Sequence, residues 1–243
     1  MRILSDYHTH TIYSHGKGTI EENVIAARKV GLKILAISDH GPGHMGFGIK
    51  KRKYKEMRQV IDEMNAKYDD IEVLLGLEAN VLDVDGHLDV DDSILELNDV
   101  LLAGYHFGSR PVRFVRDMLH HAGNYMSREG QYNQKLMEAN TLSLINAMKK
   151  YNIDVLTHPG AKGPIDVKRV AEAAAQTNTA LEINASHGFL TLDQIVEAMP
   201  YDVKFSINSD AHHPDDIGNF KKALDRAQAA GLTFDRILNA VEK

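Results

Sequence analysis

Short apolar, β-branched runs alternate along this chain with longer stretches in which apolar residues recur every three or four positions. Such alternation is what βα units feeding a parallel sheet look like in sequence. Seven runs are expected as strands: Ile3 to Tyr7, Lys33 to Ser38, Ile71 to Leu77, Val100 to Gly104, Asp154 to Thr157, Ala180 to Asn184 and Lys204 to Asn208. The first helix should open at Thr19-Ile20-Glu21-Glu22, where Thr19 and Glu22 can satisfy each other's unpaired amides as a capping box, and should stop at Gly31. Glu56 to Tyr68, Asn133 to Lys149, Val167 to Gln176, Leu192 to Ala198 and Phe220 to Ala230 carry the helical period and read as the outer layer. The basic run Lys50 to Lys55 reads as the solvated start of a helix. Between Asn80 and Val90, Asp85-Gly86 stands between short apolar runs and predicts a small hairpin turn.

Composition narrows the class. A chain of 243 residues has the length that (β/α) barrels occupy undivided, so residues 1–243 are expected as one domain. Hydrophobic residues at 43% and charged residues at 26% are ordinary globular values and argue against disorder or a coiled coil. A net charge of −6 repels phosphate backbones, so nucleic acid is not an expected partner. The N-terminus has no apolar leader and no run approaches the roughly 18 apolar residues of a membrane span, so a cytoplasmic enzyme without membrane contact is expected. Cysteine is absent, which removes disulfides, Fe–S clusters and thiolate zinc sites together. Any transition metal must then be held by imidazole and carboxylate, and thirteen histidines supply the candidates.

Position makes nine residues informative: they gather just after the expected strands, where βα loops build the active face of a barrel. His8 and His10 are two apart on a strand and present side chains to one face, and Asp210 and His212 repeat that spacing after the last strand. His15 follows in the first loop, while His40, Glu78, His106 and His158 close the second, third, fourth and fifth strands. Neutral imidazole with carboxylate suits Zn²⁺, Mn²⁺ or Fe²⁺. His187, after the sixth strand, sits at the same end and is a candidate for contact with substrate or for proton donation. Arg110, four residues past His106, could hold phosphate with its planar fork, whereas Arg113 and Arg116 read as solvated. His44, His87, His120, His121 and His213 read as loop or surface residues. Asp6 and Asp39 precede histidines of the cluster and read as structural at least as readily as imidazole-orienting.

The HTH of His8 to His10, the SDH of Ser38 to His40, the GLEAN of Gly76 to Asn80, the HPG of His158 to Gly160 and the SDAH of Ser209 to His212 resemble the motifs of the polymerase and histidinol phosphatase (PHP) superfamily. The similarity runs from Asp6 through His212 and is closest to the stand-alone YcdX-type phosphatases. The resemblance implies a distorted (β/α)₇ barrel with three divalent ions, zinc first and manganese or iron as alternatives. It also implies one ion held by His8, His10, Glu78 and Asp210, a second by Glu78, His106 and His158, and a third by His15, His40 and His212. The stretch Phe107 to Tyr132 is longer and more basic than in those relatives.

A phosphomonoester dianion repels nucleophiles and its leaving alkoxide gains charge, so its hydrolysis needs cations on both sides of phosphorus. Two ions about 3.5 to 4 Å apart can acidify a bridging water and hold the hydroxide in line with the leaving oxygen. Glu78 is the expected bridge, because a carboxylate offers two oxygens to two ions. The expected function is therefore metal-dependent hydrolysis of a small phosphomonoester, histidinol phosphate being one candidate. The alternatives are a 3′-5′ nuclease or phosphodiesterase, an amidohydrolase, and a non-catalytic metal-binding module that regulates a partner. Oligomeric state is not legible.

Overall fold

A computed structural model describes residues 1–127 and 133–242, and in it the strands run β1 (Arg2–Ile3), β2 (Ser5–Asp6), β3 (Ile34–Ile37), β4 (Glu72–Asn80), β5 (Val100–Gly104), β6 (Val155–Leu156), β7 (Ala180–Asn184), β8 (Phe205–Asn208) and β9 (Ala240–Val241). β2 to β8 form one parallel sheet in chain order, and a parallel bridge between Thr9 and Ala211 brings its two ends together. The result is a nearly closed seven-stranded barrel. The helices are α1 (Ile20–Lys29), α2 (Lys51–Lys67), α3 (Asp92–Leu95), α4 (Phe114–Met126), α5 (Gln134–Lys150), α6 (Val167–Thr177), α7 (Leu192–Ala198) and α8 (Lys221–Ala229).

The local chemistry matches the elements. Thr19 caps α1 with the reciprocal Glu22 bond, and the helix turns its buried Ile20, Val24 and Ala27 toward the sheet. Full burial of each of the larger two is worth about 1.5 to 3 kcal/mol. β5 and β7 occupy the expected spans, and the Val81–Leu88 bridge with Gly86 at φ +78° makes the expected hairpin. Three differences matter. The expected first strand splits, because Arg2–Ile3 pairs antiparallel with β9 and only Ser5–Asp6 joins the barrel. β4 continues past Leu77 through Glu78 to Asn80, so a strand interior carries polar groups. Phe114–Met126, within the longer and more basic stretch Phe107 to Tyr132 for which no element was expected, is helix α4; the last five residues of that stretch, 128–132, lie outside the described residues.

Two apolar clusters hold the barrel. A large one lies between strands and helices, and a small one comprises Ala36, Val100, Leu102, Val155 and Ala180, with Leu74 and Tyr7 against it. Leu74 and Ala180 share strand faces with Glu78 and Glu182, so the small cluster is the floor beneath the polar residues at the barrel's C-terminal end.

Candidate metal centre

Each strand end delivers its side chain to one place. His8 and His10 both direct Nε2 at Asp210 Oδ1, at 3.5 and 3.4 Å, as their two-residue spacing predicts. Glu78 reaches in from β4 with its oxygens turned to different partners. Oε1 faces Nε2 of His8, His106 and His158 at 3.2, 3.0 and 3.0 Å, and Oε2 faces His40 Nδ1 at 2.9 Å and His10 Nε2 at 3.6 Å. His15 and His212 complete an outer group with His10 and His40, the ring centroids of His15 and His212 being 4.1 Å apart. All nine residues singled out from the sequence thus meet at one end of the barrel.

Local backbone explains how the loops return. Gly16 lies against the backbone of His10, where a Cβ would come within 2.6 Å of its carbonyl, and that close approach folds His15 back over the cluster. Gly104 ends β5 where any side chain would collide with Thr157, so only glycine lets β5 and β6 bring His106 and His158 together. His158 and Asp210 themselves have φ of +28° and +55°, conformations that L residues adopt at a cost and that surrounding structure must enforce.

The donor set fits a cation. Nε2 of His8 and His10, Nδ1 of His15 and His40 and Oε2 of Glu78 are buried with no hydrogen-bond partner. Orphaned buried polar atoms are costly unless something else meets them. His40 Nδ1 and Glu78 Oε2 are only 2.9 Å apart, yet neither makes an aligned hydrogen bond. His8 and His10 Nε2, at 3.5 and 3.4 Å from Asp210 Oδ1, are spaced as neighbouring ligands on a tetrahedral zinc ion with bonds of about 2.0 to 2.1 Å would be, at roughly 3.3 Å. Charge agrees. Burial works against a protonated His8, but Glu78, Glu182 and Asp210 outweigh it and raise its pKa well above the ordinary value. Glu78 and Asp210 are pulled below the usual carboxylate range against the effect of burial, Glu78 by His106, His8 and His40 and Asp210 by His8 and His10. The deep end of the site therefore favours positive charge. His10, held low by burial and then by His40 and His8, and His15, pushed down to about 3 by burial and then by His212 and His40, are neutral imidazoles with a lone pair to give.

His187 lies at the margin, its Nε2 3.4 Å from Asp210 Oδ2 and its ring 5.1 Å from that of His158. Arg110 is exposed, and its backbone N–H is bonded to Gly43 O, on the loop that follows His40. Arg113 and Arg116 are engaged with Asp85, and Arg116 also with Asp83 and Asp117. Asp39 accepts from Thr11 and Ser14, and Asp6 from Ser209 and Gly218, so both tie loops together. His44 stands on the loop after β3, as expected, with its ring stacked on that of His40 at 5.2 Å. Sequence reasoning missed Phe47, stacked on His15 at 4.6 Å, and Glu182, buried and bonded to His8. The signal for Glu182 was a lone charge inside the otherwise buried run Ala180–Asn184.

Comparison with known proteins agrees with this arrangement. The PHP domain family model matches residues 6–190. The chain belongs to the PHP domain family. A probable phosphatase from Thermoanaerobacter sp. (strain X514) is 33% identical over 250 residues, covering 98% of this chain and 91% of that protein. One from Shewanella loihica is 34% identical over 253 residues, covering 98% and 90%. In fold, the chain is similar to the histidinol phosphate phosphatase of Lactococcus lactis subsp. lactis Il1403, with a TM-score of 0.61, 17% identity and 94% of each chain covered. That enzyme was solved with zinc, L-histidinol and phosphate. Among the described residues of this chain, no helix is long and apolar enough to cross a membrane.

Proposed function

We propose that this PHP-family chain is a metal-dependent phosphatase that hydrolyses a small phosphomonoester, histidinol phosphate being one candidate, at a centre of three divalent ions. Zinc is the first choice, because its ligands here would be imidazole and carboxylate alone. The observation that carries the reading is Glu78, whose two oxygens turn to two different groups of imidazoles inside a cluster of unpartnered buried donors. His8, His10, Glu78 and Asp210 would hold one ion, Glu78, His106 and His158 a second, and His15, His40 and His212 a third. Bound cations of this kind supply charge that offsets the phosphate dianion and acidify water at neutral pH.

The chain's own residues do the rest. Glu78 would serve both of the first two ions, because its carboxylate has two oxygens to offer and stands between their imidazoles. His187 is taken to the leaving oxygen. Burial and then the neighbouring His158 lower its pKa to about 4, so at neutral pH it offers an N–H hydrogen bond rather than a standing proton. Arg110 is assigned to phosphate oxygens, where its fork can bind two at once.

The test is a substrate panel on metal-loaded protein: p-nitrophenyl phosphate, its bis-ester, histidinol phosphate and single-stranded DNA. Turnover of monoesters that disappears on chelation supports the reading. Preference for the bis-ester or DNA would make the chain a phosphodiesterase or nuclease, and no turnover at all would leave a non-catalytic metal-binding module.

A further inference from the structure

Of the seven barrel strands, β7 supplies none of the nine clustered residues, yet it carries Glu182, wholly buried beneath them. Four donors surround this carboxylate. Oε1 accepts from His8 Nδ1 at 2.8 Å and from Asn208 Nδ2 at 3.0 Å, and Oε2 accepts from the backbone N–H of His158 at 2.7 Å and from Asn184 Nδ2 at 2.9 Å. The bond to His8 has a chemical consequence. An imidazole that gives its Nδ1 proton to a carboxylate keeps the lone pair on Nε2, and His8 Nε2 is the unpartnered atom facing Glu78 and Asp210. The bond to His158 acts on the backbone, because it grips the amide of a residue held at φ +28° whose Nε2 faces the same Glu78 oxygen.

We propose that Glu182 is a positioning residue of the metal centre, selecting the Nδ1–H tautomer of His8 and fixing His158 so that His8 aims Nε2 at the ion it would share with Glu78 and Asp210, and His158 aims Nε2 at the ion it would share with Glu78 and His106. The inference rests on the reading of the cluster as a metal centre. A carboxylate is required, because all four neighbours donate. Glutamine at this position has one acceptor oxygen and one NH₂. If the oxygen turns to His8, the NH₂ meets the N–H of His158. In the opposite orientation it meets His8, which must then accept on Nδ1 and carry its proton on Nε2.

The experiment compares the full-length wild type with Glu182→Gln. Metal-free protein is titrated with Zn²⁺ by calorimetry, bound ions are counted, and the protonated ring nitrogen of each histidine in the zinc-loaded protein is read from ¹⁵N shifts, His8 being assigned by the signal that His8→Gln removes. The expected result is Nδ1–H at His8 in the zinc-loaded wild type and, in a folded Glu182→Gln variant, a 10- to 100-fold loss of affinity at the tightest site. Unchanged affinity and count in that variant would overturn the proposal. So would an Nε2–H at His8 in the zinc-loaded wild type, a reading that stands even if the variant does not fold. Neither readout uses phosphatase activity, so a wild type that binds zinc but hydrolyses no phosphomonoester would defeat the proposed function and not this role. A wild type that binds no zinc would defeat the centre itself.

Discussion

The inner and outer parts of the centre are built differently. Around Glu78 Oε1, His8, His106 and His158 are almost wholly buried, stand on or two residues beyond barrel strands, and in two cases are held from below by Glu182. Around His15 and His212 the side chains stand on loops, His212 is 34% exposed, and the rings are held largely by one another and by Phe47. A group fixed by strand register and buried hydrogen bonds is placed before a ligand arrives, whereas one fixed by ring contacts on loops can still adjust. The inner part should therefore bind ions tightly and set the chemistry, and the outer part should bind more weakly and tune it.

The strongest way to break that division is Glu78→Gln, which keeps the side chain's shape and removes its charge and one good metal oxygen. We expect a fall in turnover of about 10² or more, as when a preorganised electrostatic group at a transition state is lost, together with loss of inner metal by elemental analysis. His15→Ala should act only on the outer part. It should release one ion, spare the rest and slow turnover about tenfold, less than a group central to the charge; equal losses from both variants would erase the distinction.

Acid sharpens the comparison in the metal-free chain. Burial, followed by neighbouring imidazoles, holds His15 near 3 and His44 and His187 near 4, against 6.5 for the unfolded side chain. The unfolded chain takes up protons that the fold refuses, so the contribution to stability is complete above pH 6.5 and declines as pH falls toward 4 and then 3. His8 and Asp6, the latter raised to about 6 by burial, run the opposite way, but His10, His120 and His121 are lowered as well, so two groups stand against six. The midpoint of thermal unfolding of apoprotein should be lower at pH 5 than at pH 7, and zinc should be released over the same range. The smallest effect is expected at the periphery. Arg110→Ala should raise the KM for phosphomonoesters and weaken inhibition by phosphate several-fold, as expected for loss of a charge-assisted contact, with metal content unchanged. Arg113→Ala and Arg116→Ala, already committed to acidic partners, should leave both constants alone.

What was legible in the sequence follows the same division. Strand positions could be read because strands buried on both faces must be apolar, and β5 and β7 fell on their expected spans. The clustered residues could be read because a parallel barrel gathers its strand ends. α4 was not legible as a helix: Phe114, Val115, Leu119 and Tyr125 are exposed, so its apolar residues do not mark a core-facing side. Glu182 was hidden for a related reason. Its role lies in four donors drawn from β7, β8 and the loops after β2 and β6, a neighbourhood that only the closed barrel assembles.

The central claim is that these nine side chains form one catalytic centre of three ions with two grades of affinity. The most direct test is to follow bound metal and turnover together while a chelator strips gently purified protein. The account predicts close to three ions per chain at the start, early release of one with partial loss of activity, and complete loss once the inner ions go. Full activity in protein that never holds more than one ion would contradict it.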